Sequence, residues 1–396
     1  MDSLISGFLV SFIVTYVSIP VIIRIARIKK LVDVPDSRKI HKTPIPSLGG
    51  FGIFAGFLLA LLVSTPMGGS SVLQYFAAAA FMIFLVGLKD DVLIITPLKK
   101  LMGQLVAAFI IVYKADIRID SFYGIFGIHE LPYAVSMALT YFAIILIINA
   151  FNLIDGVDGL AGTLGIVSSL VFGVYFFYAH ETLYAVMGLS LVGALSSFLL
   201  FNYTPAKIFM GDTGSMLIGL INAILVIHFI RVADAPNAVL PVVSAPVIAF
   251  AILSVPLFDT LRVFTIRIVL HRRSPFSPDR NHIHHLLLDC GFSHPMTTLC
   301  LATYSLGVIM LAFALRNMGS HALLFGLAVT NLSFIGLVAY FRQPRRLFVV
   351  MKNIPDAQPA VEPAIQAAAG VPAIPFKQKN VISPVAVQPV FSMEEE

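Results

Sequence analysis

The sequence predicts an all-α polytopic membrane protein with about eleven transmembrane helices. Hydrophobic residues make up 58% of its 396 residues and charged residues only 12%, and the mean hydropathy is +0.92. These values are typical of multispanning membrane proteins and exclude an ordinary soluble domain. A helix that crosses a bilayer needs about 20 mostly apolar residues, and the sequence contains many such runs. Nothing in the charge distribution favours a nucleic-acid partner.

Eleven apolar segments are the candidate spans. They cover residues 4–25, 48–65, 73–88, 100–113, 131–150, 159–178, 184–201, 213–231, 239–265, 296–316 and 321–341. Basic residues follow the first segment and none precedes it, which favours a retained helix whose N-terminus lies outside. Eleven crossings then place the C-terminus inside.

The distribution of basic residues supports this topology. Only four of the 26 lysines and arginines fall in the outer segments, namely Lys114, Arg118, Arg231 and Arg316. The positive-inside rule requires such a bias. We therefore expect residues 1–345 to form one multispanning membrane domain. Residues 346–396, rich in proline and alanine, are expected to form a disordered cytoplasmic tail.

The most informative polar stretch is residues 149–162, which read NAFNLIDGVDGLAG. Asn149, Asn152, Asp155 and Asp158 recur every third residue, and they converge only if the helix loosens at its end. At a membrane–water boundary these side chains could hold a divalent cation and a polar ligand. An ordinary helix end with capping side chains and C′ glycines explains the same pattern equally well.

Further polar residues are expected at the same inner face. Asp90 and Asp91 follow the third apolar segment, where they repel each other and face the negative pole of the helix dipole, so a nearby cation is indicated. Lys100 opens the next segment and could reach a phosphate. Asp212 begins the eighth segment as an N-cap or as a site residue. Phe209 could form one wall of a base-binding slot or simply pack at the interface.

Two basic inner loops complete this polar face. Their titratable side chains include Arg38, Lys39 and His41 in the first loop and Arg280, His282, His284 and His285 in the last. Both groups suit phosphate or sugar ligands. Contact with lipid headgroups is the alternative for the first loop. A zinc site is the alternative for the histidines, but no cysteine or acidic residue lies at a usual partner spacing.

Such a face suits a phosphate-rich cytosolic substrate that meets a lipid acceptor. A lipid phosphate is largely ionised at neutral pH, because its second pKa is about 6. The main barrier to its attack on a nucleotide diphosphate sugar is then the repulsion between two anions. A divalent cation and lysine or arginine side chains relieve that repulsion.

Five motifs occur in order over about residues 1–345: DVPDSRKIHKTPIPSLGG, GLKDD, NAFNLIDGVDGLAG, IFMGDTGS and PFSPDRNHIHHLL. Together they closely resemble the polyprenyl-phosphate N-acetylhexosamine-1-phosphate transferases of the glycosyltransferase 4 family. The resemblance implies an eleven-helix fold, a UDP-sugar donor, an undecaprenyl phosphate acceptor, UMP as product, and Mg²⁺ as cofactor with Mn²⁺ as a substitute. The His-Ile-His-His sequence resembles the branch that uses UDP-N-acetylglucosamine.

The resemblance also implies roles for single residues. The predicted catalytic residues are Asp90, Asp91, Asp155 and Asp158, and the predicted metal ligands are Asn152 and Asp212. Together with the polar residues identified above, the predicted substrate-binding residues are Arg38, Lys39, His41, Lys100, Asn149, Phe209, Arg280, His282, His284 and His285. Within these sets Phe209 matches an aromatic residue that stacks on uracil, and Asp158 matches a uridine-side contact. One departure is Ile94, since some relatives carry a lysine shortly after the acidic pair.

The expected setting is the bacterial inner membrane, with the active site on its cytoplasmic face and membrane lipids around it. The product is expected to start an O-antigen, common-antigen or teichoic acid chain, and a homodimer is one option for the assembly. Direct attack by the lipid phosphate is favoured over an aspartyl phosphosugar intermediate. The alternatives are another UDP-N-acetylhexosamine or UDP-MurNAc-pentapeptide as donor, and, in a different class, a lipid-phosphate transporter or flippase.

Overall fold

A computed structural model describes residues 1–31, 44–65, 72–93, 95–233, 235, 238–272, 274 and 280–342. Within these residues the chain forms α-helices joined by short loops, with one isolated antiparallel bridge between Ser121 and Glu130. The helices are α1 (Asp2–Ile28), α2 (Gly49–Ser64), α3 (Leu73–Leu93), α4 (Pro97–Phe109), α5 (Tyr133–Ile154), α6 (Leu160–Tyr178), α7 (Thr182–Asn202), α8 (Gly211–Ala233), α9 (Ala245–Ile252), α10 (Ser254–Thr265), α11 (Ile283–Asp289), α12 (His294–Ala314) and α13 (Ser320–Phe341).

The all-α membrane fold predicted from composition is confirmed, whereas the number of eleven crossings is not. All eleven predicted spans are helical over most of their length. In the described part of the chain, seven helices are long and apolar enough to cross a membrane: α1, α5, α6, α7, α8, α12 and α13. The predicted span 239–265 is broken into α9 and α10, which are bent by 85° relative to each other, and counting this pair as one span gives eight.

Helices α7 and α8 form the centre of the bundle. Nearly every residue of α8 from Thr213 to Ile230 is buried, as expected for a helix that is apolar around its whole circumference. Helix α8 packs against α2, α3, α5 and α6. In contrast α1 lies at the edge, because it buries a single stripe that includes Leu4, Gly7 and Ser11 and rests on α2 and α7.

The close approach of α3 to α8 brings the acidic pair to the centre of the bundle. A Cβ atom on Gly87 would lie only 2.4 Å from the Cα atom of Thr213, so glycine is required where these two helices meet. Asp90 and Asp91 follow Gly87 by about one helical turn on α3. They therefore reach the N-terminal end of α8, where Asp212 lies.

The tail predicted for residues 346–396 lies outside the described residues, and so does the basic segment with Arg38, Lys39 and His41. The end of that first loop is described. Pro46 accepts a backbone hydrogen bond from Phe209 at 2.7 Å, and Gly49 donates one back to Phe209 at 2.9 Å. This pairing holds the loop before Asp212 against the N-terminus of α2.

Candidate active site

Four helix ends carry the predicted acidic and amide residues to one place. Asp90 and Asp91 come from the C-terminal end of α3, and Lys100 comes from the first turn of α4. Asn152 lies in the last turn of α5, and Asp212 lies in the first turn of α8. These residues are far apart in the sequence but are joined by direct hydrogen bonds, so the convergence predicted from the motifs is present in the fold.

Lys100 is the cation at the centre of this group. Its Nζ atom donates to Asp90 Oδ2 at 3.3 Å, to Asn152 Oδ1 at 3.0 Å and to the carboxylate of Asp212. Asn152 in turn donates to Asp212 Oδ1 at 2.8 Å and to the Ser215 hydroxyl at 3.0 Å. The four residues Asp90, Lys100, Asn152 and Asp212 are called the lysine cluster below.

The second aspartate of the pair has a different partner. Asp91 accepts hydrogen bonds from the backbone N–H groups of Asp212 and Thr213, at 2.7 and 3.1 Å, and from the Thr213 hydroxyl at 2.6 Å. A carboxylate at a helix N-terminus satisfies free N–H groups and faces the positive pole of the helix dipole. The charge of Asp90 is therefore balanced by Lys100, and that of Asp91 by the end of α8.

Asn149 is held one turn before Asn152 by a residue that the sequence analysis missed. Its amide donates to Gln104 Oε1 at 2.9 Å and to the Ile145 carbonyl at 2.8 Å. Gln104 is 1% exposed and lies one helical turn after Lys100 on α4. The sequence signal for Gln104 is its place four residues after Lys100 in a helix that is otherwise mostly apolar.

Asp155 and Asp158 follow the end of α5 and have opposite electrostatic environments. Burial, together with the charges of Asp212, Asp91 and Asp158, raises the pKa of Asp155 to about 8. Burial by itself would also raise the pKa of Asp158. Hydrogen bonds from His294 and Thr204 outweigh this effect and hold the pKa of Asp158 below its usual value. The Thr204 hydroxyl lies 3.0 Å from Asp158 Oδ2, and His294 Nδ1 lies 3.4 Å from Oδ1.

The predicted histidine motif is placed against the same loop. A Cβ atom on Gly156 would lie 2.4 Å from His284 Nε2, so the imidazole of His284 touches the backbone between Asp155 and Val157. Burial lowers the pKa of His284 to about 3 and that of His285 to about 4. Both rings are therefore neutral at pH 7. Among the described residues, neither Nδ1 atom has a hydrogen-bond partner.

His282 is also buried, with 4% of its surface exposed. Its Nδ1 atom donates to Asp259 Oδ2 at 2.8 Å, and Asp259 was not among the predicted residues. Arg280 is exposed, and its charge contributes to the low pKa of His285. Phe209 is partly buried, with its backbone fixed by Pro46 and Gly49.

The donor set of the lysine cluster is consistent with the Mg²⁺ that the family resemblance implies. Oxygen atoms of Asp90, Asn152 and Asp212 all face one cationic group. Mg²⁺ prefers oxygen ligands and usually takes one or two carboxylates together with substrate phosphates. In the part of the chain that the structure describes, no three His, Cys, Asp or Glu side chains are grouped to bind a metal alone. Asn152 and Asp212 supply oxygen atoms of the kind that Mg²⁺ prefers.

Comparison with known proteins identifies the family. The model of the family described as glycosyl transferase family 4 matches residues 73–230. The chain is 32% identical over 311 residues to the probable undecaprenyl-phosphate N-acetylglucosaminyl 1-phosphate transferase of Bacillus subtilis, which covers 78% of this chain and 83% of that protein.

Two other relatives have similar identity. The decaprenyl-phosphate N-acetylglucosaminephosphotransferase of Mycolicibacterium smegmatis is 32% identical over 333 residues, which cover 78% of this chain and 82% of that protein. The undecaprenyl-phosphate alpha-N-acetylglucosaminyl 1-phosphate transferase of Escherichia coli K12 is 32% identical over 278 residues, which cover 68% of this chain and 72% of that protein. The family match contains every member of the lysine cluster.

Proposed function

The chain belongs to glycosyl transferase family 4, and from this premise we propose that it transfers N-acetylglucosamine-1-phosphate from UDP-N-acetylglucosamine to undecaprenyl phosphate. The products are undecaprenyl-diphospho-N-acetylglucosamine and UMP. We further propose that this is the first membrane step of a cell-surface glycan of the O-antigen, common-antigen or teichoic acid type. The protein is a multi-pass membrane protein with several long apolar helices, and we propose the bacterial inner membrane as its location.

The observation that carries the proposal is the lysine cluster. It concentrates two carboxylates, one amide and one ammonium group at helix ends. A transporter is expected to place its charged groups near the middle of its helices. The position of the cluster at the ends of α3, α4, α5 and α8 supports a transferase.

In the proposed reaction, a phosphate oxygen of the lipid forms a bond to the β-phosphorus of the donor. The bond between that phosphorus and the oxygen that bridges to the α-phosphorus breaks, and UMP leaves with the electron pair. The nucleophile is already ionised, so Asp90 orients it or accepts its residual proton. Lys100 is proposed to contact the phosphates, since its ammonium group is the cation of the lysine cluster.

Asn152 and Asp212 are proposed to hold Mg²⁺, with Mn²⁺ as a substitute. When bound, the metal supplies positive charge that reduces repulsion between the two phosphate groups. His284 and His285 are proposed to contribute neutral hydrogen bonds, because burial keeps their pKa values low. Phe209 and Asp158 are proposed to contact the uridine.

The proposal is tested with purified protein, undecaprenyl phosphate, Mg²⁺ and a panel of UDP-sugars. The expected result is UMP release from UDP-N-acetylglucosamine, its abolition by EDTA, and its restoration by Mg²⁺ or Mn²⁺. UMP release from a different UDP-N-acetylhexosamine or from UDP-MurNAc-pentapeptide would reassign the donor. If no donor in the panel yields UMP, the transferase proposal falls.

The order of the chemical steps is tested by leaving out the lipid. We expect no UMP without undecaprenyl phosphate, because the lipid phosphate itself attacks the donor. A burst of UMP equal to the amount of enzyme, formed without lipid, would instead indicate a covalent phosphosugar intermediate on an aspartate.

A further inference from the structure

The carboxylate of Asp259 is buried in α10, outside the predicted motifs. The residue is 3% exposed, and taking such a charge out of water is costly unless it is paired and hydrogen-bonded. Asp259 Oδ1 accepts from Arg262 Nη2 at 2.8 Å and from the backbone N–H of Ile283 at 2.9 Å. Its other oxygen accepts from His282 Nδ1 at 2.8 Å. Two of these three bonds lead to the segment that carries the histidine motif.

These bonds fix the start of α11. Ile283 is the first residue of that helix, and His282 precedes it with an extended backbone. A helix of only seven residues is not stable by itself, because isolated helices shorter than about 12 residues are marginal in water. Its position must therefore be set by contacts with neighbouring elements, and Asp259 supplies the contact at the N-terminal end.

The other end of α11 has a contact of the same kind. Asp289 Oδ2 accepts from Arg342 Nε at 3.1 Å and from Arg342 Nη2 at 2.7 Å. Arg342 immediately follows α13, whereas Asp259 belongs to α10. The short helix is thus held at its N-terminal end by Asp259 of α10 and at its C-terminal end by the ion pair between its own Asp289 and Arg342. These two contacts are called the anchors of α11 below.

Between the anchors lies His284, which touches the loop of Asp155 and Asp158. His284 is 1% exposed and lies against Gly156. The rings of His282 and His284 are stacked nearly parallel, with an angle of 6° and 5.7 Å between their centroids. His282 Nε2 lies 3.5 Å from Arg267 Nη2, so both nitrogen atoms of His282 face protein groups. A shift of α11 would therefore move His284 directly relative to Asp155 and Asp158.

We propose that Asp259 is a positioning residue that sets the place of α11, and through it the place of His284, against the loop of Asp155 and Asp158. His282 then belongs to the support of the site, as the link between Asp259 and His284. This inference rests on the proposed function only for its kinetic consequence, because the geometry of α11 can be measured without turnover.

The first experiment measures hydrogen exchange in the full-length protein in detergent. In Asp259→Asn, the side chain loses its charge and an NH₂ group replaces one of its two accepting oxygen atoms, so the N-terminal anchor is weakened. We expect the backbone amides of α11 to exchange about tenfold faster or more, with exchange in α7 and α8 unchanged. Unchanged exchange in α11 would overturn the proposal, whether or not the protein proves to be a transferase.

The second experiment is a double-mutant cycle on UMP release. Asp259→Asn is expected to lower kcat/KM for UDP-N-acetylglucosamine about 100-fold, the typical effect of a small misplacement of a site group. The KM for undecaprenyl phosphate should stay unchanged. If Asp259 acts through His284, adding Asp259→Asn to His284→Ala should cost no further activity. Two losses that multiply would overturn the proposal.

Matched variants separate positioning from general loss of folding. Asp289→Asn changes the other anchor of the same helix. It should reproduce the faster exchange of α11 and the lower kcat/KM for UDP-N-acetylglucosamine, and it tests the proposal even if Asp259→Asn fails to fold. Asp116→Asn removes an exposed carboxylate that pairs with Arg118 and Arg231, and its exchange and turnover should equal those of the wild type. If the wild type releases no UMP, the proposed function fails and the exchange experiment still decides the role of Asp259.

Discussion

The carboxylate of Asp91 lies 2.7 Å from the backbone nitrogen of Asp212, although 121 residues separate them. The same carboxylate accepts the next N–H group and the hydroxyl of Thr213. Asp91 therefore closes the N-terminus of α8, one of the two central helices of the bundle. The adjacent Asp90 instead binds Lys100. Two neighbouring aspartates thus have separate tasks, one in holding the helix end and one in the charged centre.

Substitution of the two aspartates should separate stability from activity. Asp91→Asn should lower the stability of the protein, by about 1 kcal/mol for a lost helix cap, because the asparagine amide opposes one of the N–H groups. Asp90→Asn should leave the melting temperature within about 2 °C but lower UMP release about 100-fold, as expected for loss of a residue that orients the nucleophile or accepts its proton. Thermal unfolding in detergent and UMP release measure the two effects. The reverse assignment would contradict the division of tasks.

Lys100 should be needed for turnover. In Lys100→Met the carboxylates of Asp90 and Asp212 lose their shared cation, and the donor phosphates lose a positive group. We expect a loss of about 100-fold or more in kcat/KM, similar to removal of one electrostatic donor in other enzymes. The control is Lys99→Met, because Lys99 is exposed on the same helix. Equal losses in the two variants would show that Lys100 has no special position.

Gly156 should be intolerant of a methyl group. In Gly156→Ala the new Cβ atom would lie 2.4 Å from His284 Nε2, so the imidazole must move. We expect activity to fall about tenfold or more, since small displacements of site groups are costly, and folded protein to remain in normal yield. Gly307→Ala in α12 is the control, because no atom lies within 4 Å of its Cβ position. Full activity of Gly156→Ala would place His284 outside the working site.

In buffer without divalent cations, Asp155 should make the stability of the protein depend on pH. Its pKa is raised to about 8 in the folded state, whereas an unperturbed aspartate has a pKa of about 3.9. Between these values the folded state binds the proton more tightly than the unfolded chain, so Asp155 lowers stability as pH rises from about 4 to 8. Asp155→Asn removes this effect. Its melting temperature should therefore increase relative to the wild type as pH rises from 5 to 8.

Asp158→Asn provides the opposite case. The pKa of Asp158 is held below its usual value, so its contribution to stability is present above about pH 4 and is lost as pH falls below that value. The difference in melting temperature between Asp158→Asn and the wild type should stay constant from pH 5 to 8. If Asp155→Asn shows the same constant difference, the raised pKa of Asp155 is wrong.

Much of the site was predictable because its residues interrupt apolar helices. An aspartate or asparagine at the end of a long apolar run is visible in the sequence, and so Asp90, Asn152 and Asp212 were found. Gln104, Asp259 and His294 were missed, since each is a single polar residue without a repeated neighbour. Their importance comes from their partners Asn149, His282 and Asp158, which lie in other segments.

The sequence by itself determined the class of fold, the approximate position of each helix and the family, because hydropathy and short motifs are local properties of the chain. It could not determine which aspartate of the pair faces Lys100, or that one predicted span bends by 85° between α9 and α10. Those features were decided by the tertiary structure. Each depends on contacts between residues distant in sequence, such as Asp91 with the end of α8, and local patterns carry no record of such contacts.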